Sequence, residues 1–140
     1  MRFLFVALSA VFLNTIIYAQ DKWKVMVNDK ILLSTTIEDE AKNMITIKAT
    51  DLKKKKDFVV AYTEAIKQND WERSMMLYDE NDRELTQQKG SKLKIKNNTL
   101  LSFFKNSKKV SVYTWAFPTD PSLKAAIRVR RVHLCTLVLQ

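Results

Sequence analysis

Trp23-Lys24-Val25-Met26-Val27-Asn28-Asp29-Lys30-Ile31-Leu32-Leu33 decides the fold. Trp23, Val25 and Val27 are apolar at alternate positions, the spacing of a strand with one buried face. Asn28-Asp29 interrupts the run with two residues that tolerate left-handed backbone, as a tight hairpin turn requires. Ile31, Leu33 and Ile37 then resume the alternation. A strand, a two-residue turn and a returning strand predict a β-hairpin.

The same period recurs along the chain. Ile45 and Ile47 alternate within Asn43–Ala49, and Ser91-Lys92-Leu93-Lys94-Ile95-Lys96 alternates throughout. Phe58–Thr63, Trp71–Tyr78 and Val110–Phe117 are rich in β-branched and aromatic residues, and Arg83–Gln87 reads as a short pairing strand. Ile127–Leu139 reads as one long final strand, with a bulge expected at Arg130-Arg131 where the alternation changes phase. Two segments have helical spacing. Leu100, Phe103 and Phe104 fall on one face of a helix over Thr99–Lys105, with Asn98 as its cap. Asp120-Pro121 starts a second helical turn that runs to Ala126. Eight or nine short strands without long crossover helices predict an all-β fold. The expected form is an antiparallel β-sandwich, immunoglobulin-like or Greek-key, with two short helical turns. A small closed barrel is the alternative.

Residues 1–19 read differently. Met1-Arg2 is a positive start, Phe3–Leu13 an uncharged apolar run, and Ala19 a small residue suited to cleavage. The run is shorter than the roughly 20 apolar residues of a spanning helix. A cleaved secretory signal over 1–19 and a single domain over 20–140 are expected. Loss of Arg2 takes the formal net charge of +9 to +8. The domain is therefore basic and exported, to a periplasm, a cell surface or the medium. Cys135 is the only cysteine, so an internal disulfide is excluded and the fold relies on its core.

Catalytic and cofactor signatures are sparse. His133 is the single histidine, and a regular strand would put it on the same face as Cys135. A working Cys–His pair also needs a third group to orient the imidazole, and none is evident. A blue-copper site needs two histidines and a structural zinc site four ligands. Met26, Met44, Met75 and Met76 read as core filling. Glu38-Asp39-Glu40 and Asp79-Glu80-Asn81-Asp82 read as turns, and the latter lacks the glycine and distal glutamate of a calcium loop. No catalytic residue, cofactor or metal ligand is assigned.

The basic residues are the distinctive feature. Lys53, Lys54, Lys55 and Lys56 form a run in the polar loop Asp51–Lys56. Lys92, Lys94 and Lys96 share one strand face, and Arg128, Arg130 and Arg131 lie near the C-terminus. These ten are candidate contacts for a polyanion, whether an anionic glycan, a lipid headgroup or nucleic acid, and Lys105, Lys108 and Lys109 add to the same charge. The excess is mostly lysine, which solvates surfaces more often than it recognises phosphate planes, so diffuse, salt-sensitive attraction is expected. The leading expectation is a noncatalytic exported module that binds a protein or glycan, or serves as an envelope accessory. Polyanion binding comes second, and a small hydrolase or hydrolase inhibitor third, the inhibitor acting through Asp51–Lys56 or Phe117–Asp120. One contiguous basic patch favours the second; scattered charges favour the first.

Overall fold

A computed structural model describes residues 19–140. The expected signal segment lies outside the described residues except for Ala19. Nine strands form two sheets. β1 (Lys22–Val27), β2 (Lys30–Thr35), β4 (Asp57–Thr63) and β7 (Lys92–Lys96) make a four-stranded antiparallel sheet in the order β2-β1-β4-β7. β3 (Met44–Ile47), β5 (Trp71–Asp79), β6 (Glu84–Lys89), β8 (Lys109–Pro118) and β9 (Val132–Leu139) make the second, in the order β3-β9-β8-β5-β6. A 3-10 turn (Asp51–Lys53) precedes β4, α1 (Asn97–Phe103) follows β7, and α2 (Pro121–Ala126) follows β8.

The opening hairpin turns where its residues dictate, but the alternation expected of the returning strand does not hold. Ile31 is exposed, Ile37 is exposed beyond the end of β2, and Leu32 and Leu33 pack against the core after a register shift in the β1–β2 pairing. Asn28 and Asp29 take φ of 54° and 66°, and β1 and β2 pair on either side of them. Trp23, Val25 and Val27 face inward with Phe58, Val60, Leu93 and Ile95. The other sheet meets them with Ile45, Ile47, Met75, Leu77, Val110, Val112 and Leu137. The result is a sandwich-like all-β fold, and the two sheets share no strand, so the closed barrel does not form. The Trp23 indole Nε1 donates to the carbonyl of Leu134 at 2.9 Å and ties one sheet to the other.

Four expectations need correction. The sandwich is not wholly antiparallel, because β3 runs parallel to β9. α1 starts at Asn97, with Lys96 and not Asn98 before it, and no side chain caps it. The last strand begins only at Val132; Ile127–Arg131 are irregular, and Val129 is only partly buried outside the core. The phase change is displaced too. Tyr113 pairs with His133 and Val112 with Cys135, so Leu134 is the extra residue of the bulge. Trp115 is half-buried on the outer face of the second sheet, because Thr114, its neighbour, points inward.

Candidate functional site: a lysine-lined cleft

Leu52 is 1% exposed and belongs to the core. It anchors the 3-10 turn, so the four lysines that follow start from a fixed point. Two asparagines then hold the loop from beneath. Asn97, also 1% exposed, shares its amide protons among the Lys54 carbonyl (3.1 Å), the Asp51 carbonyl (3.4 Å) and Asn28 Oδ1 (2.7 Å). Asn28 Nδ2 donates to the Asp51 carbonyl at 3.0 Å, and the Asn97 N–H donates to the Lys56 carbonyl at 3.0 Å. Backbone carbonyls that a polar loop would otherwise leave to water are thus bound by the protein. The lysine side chains extend outward from a braced backbone.

Lys53, Lys54, Lys55, Lys56, Lys96 and Lys105 line a cleft of about 700 Å³. Leu52 and Leu101 contribute apolar wall, and Asn98 and Ser102 an amide and a hydroxyl. Asp57 is the one carboxylate lining it, and it sits 3.5 Å from the Lys94 ammonium. Lys56 pairs with Asp29 at 3.2 Å; both partners are well exposed, so the pair contributes at most about 1 kcal/mol. The other five cleft lysines have no carboxylate within 4.0 Å among the described residues. Their mutual repulsion is screened only over about 8 Å at physiological salt. An anion entering the cleft relieves it.

The ten basic residues expected from the sequence divide. Lys53–Lys56 and Lys96 come together in the cleft, and Lys92 and Lys94 continue outward from it along β7. The arginines lie elsewhere, in the segment before β9. Arg130 makes a two-pronged contact to Glu38 at 2.9 and 2.8 Å, which holds the Glu38 carboxyl below its ordinary range. Arg131 bonds Asp82, and its guanidinium lies over the rings of Tyr78 and Tyr113 at 4.7 and 4.3 Å. Arg128 is exposed.

The His133–Cys135 geometry differs from that of a regular strand. The bulge at Leu134 turns the two side chains to opposite faces: Cys135 joins the core, while His133 Nε2 meets Thr136 Oγ1 at 2.8 Å on the outer face. Burial pushes the Cys135 thiol far up and the His133 imidazole down. Among the described residues no group of three or more His, Cys, Asp or Glu is placed to hold a metal, and no helix is long and apolar enough to cross a membrane.

Sequence reasoning named Lys105 among the basic residues without placing it at a site, and left Lys22 and Lys24 out. Lys22 and Lys24 carried a usable signal, since they flank buried Trp23 as Lys92 and Lys94 flank buried Leu93. Asn28 and Asn97 carried none, because what they hold is distant in sequence. No protein-family model matches the chain, and no curated protein matches it at a significant level.

Proposed function

We propose that this protein is an exported, noncatalytic β-sandwich module that binds an anionic glycan in the lysine-lined cleft. The observation that carries the reading is the convergence of six lysines on one braced cleft with a single carboxylate among its lining residues. The neutral lining narrows the ligand. An amide, a hydroxyl and two leucines suit a sugar ring, which presents hydroxyls and C–H surface beside its charges. Among the described residues no aromatic side chain lines the cleft, whereas single-stranded nucleic acid is usually gripped by stacking on aromatic rings. Export is proposed from the positive start, apolar run and small residue of 1–19. A braced cleft with unpaired cations also departs from the diffuse attraction expected of scattered lysines.

The test is a salt titration of heparin binding, with heparin as a model anionic glycan. Two variants remove equal charge: Lys53, Lys54, Lys55 and Lys56 changed to Ser, and Lys42, Lys67, Lys124 and Arg128 changed to Ser. The cleft variant is expected to lose at least ~tenfold in affinity and part of the salt slope, because fewer counterions are released. The control variant is expected to bind nearly as wild type does. Equal losses in the two variants would return the protein to diffuse attraction.

A further inference from the structure

The cleft opens at one end of the outer face of the four-stranded sheet, and that face is itself cationic. Phe58, Val60 and Tyr62 are buried, so Asp57, Val59, Ala61 and Thr63 of β4 point outward. On β1 the outward residues are Lys22, Lys24 and Met26, and on β7 they are Lys92, Lys94 and Lys96. Asp57 is the one carboxylate among these outward positions of the three strands.

The register arranges the charges as two rails. Lys24 and Lys92 flank Ala61 from either side, Lys22 lies beside Thr63, and Lys94 beside Val59. Lys96 lies beside Asp57, at the mouth of the cleft. Neighbouring strands are about 4.8 Å apart, so the lysine rows on β1 and β7 stand roughly 10 Å from each other. The floor between them is made of short side chains: Val59, Ala61 and Thr63. From Thr63 to Asp57 the floor runs about 20 Å at ~3.4 Å per residue. The lysines of β7 also suit an edge strand, but β1 is an interior strand and needs no lysine to guard an edge, so Lys22 and Lys24 are not explained that way.

Resting on the cleft reading, we infer that the ligand is a linear polyanion, whose end or one segment occupies the cleft while its chain continues between the lysine rails of β1 and β7. A narrow floor of small residues between two cationic rows fits an extended chain. A compact anion would use the cleft and leave the rails idle. A linear chain gains contacts as it lengthens, until the rails are spanned, without any change in the cleft.

The experiment compares a heparin tetrasaccharide with a heparin dodecasaccharide by calorimetry at fixed salt. Three proteins are used: wild type, the Lys53–Lys56 to Ser variant, and a rail variant with K22Q, K24Q, K92Q and K94Q. Glutamine keeps the Cβ and Cγ methylenes nearest the sheet while removing the charge, and circular dichroism confirms the folded state of each. Wild type is expected to bind the dodecasaccharide ~tenfold or more tightly than the tetrasaccharide. The rail variant is expected to keep its tetrasaccharide affinity and lose most of that gain. A wild-type protein with no length preference, or a gain that survives in the rail variant, overturns the linear track and leaves the cleft reading standing. Absence of binding to both oligosaccharides overturns the cleft reading and the track with it. Anionic phosphatidylserine vesicles form a further arm. If they bind wild type, lose binding with the rail substitutions, and heparin shows no length preference, the face is a membrane-docking surface and the track is overturned.

Discussion

His133 illustrates how one buried side chain couples this fold to pH. It is 1% exposed, its Nε2 is bonded to Thr136, its Nδ1 has no partner among the described residues, and its ring packs edge-on against Tyr113. Burial lowers its pKa below the ordinary 6.5, against a smaller opposing pull from Glu40 and Glu38. The unfolded chain therefore takes up this proton at higher pH than the folded one, and stability rises with pH through that window. Denaturant midpoints are expected to fall as pH drops from 7.5 through about 6, well above the range where the carboxylates protonate. His133→Gln should flatten this part of the profile. A wild-type midpoint constant between pH 7.5 and 5.5 would contradict the assignment. Burial in an apolar strand was legible around position 133, but the partners of the ring and the face it takes were not. Its neighbours in sequence are apolar, but the bulge that turns it away from Cys135 exists only once β8 pairs with β9.

At the scale of elements, the 3-10 turn Asp51–Lys53 joins core to site. Leu52 is buried on its inner side and the lysine run leaves from its end. Leu52→Ala is expected to cost about 2–5 kcal/mol, the range for a large buried aliphatic side chain cut to alanine. The same substitution loosens the origin of the lysine loop, so heparin affinity should fall as well, measured below the unfolding temperature. A stability loss under about 1 kcal/mol would mean that Leu52 is not the anchor. Among the strands, legibility followed regularity. β1, β3 and β7 alternate strictly, and their inward faces were readable position by position, whereas Phe58–Tyr62 of β4 are apolar on both faces in sequence and only the fold shows that Phe58, Val60 and Tyr62 point inward. β9 was not readable, because Leu134 breaks the period and both faces of the strand are covered. α1 was displaced by two residues, since no capping side chain marks its start and packing of Leu100 into the core sets it instead.

For the whole molecule, export is the proposal most directly open to measurement. The mature protein recovered outside the cell is expected to show an intact mass lower than the full chain by residues 1–19, with Gln20 at its N-terminus. Recovery of full-length chain only in membranes would refute it. What the sequence by itself determined was the mostly β character, the opening hairpin, the basic balance and the alternation that sets inside from outside. Each follows from period, turn chemistry or composition, which are local. It also held every lysine of the cleft and the rails, but scattered over 22–24, 53–56 and 92–105 along the chain. Only the tertiary structure decided which of them belong together. Pairing of β4 with β1 and β7 sets their lysines side by side, and Asn97 and Asn28 hold the Lys53–Lys56 loop against the start of α1. The arginines near the C-terminus are sent instead to Glu38 and Asp82. The physical reason is that a binding surface here is a matter of strand register, and register is set by long-range pairing and burial, which no local stretch of sequence contains.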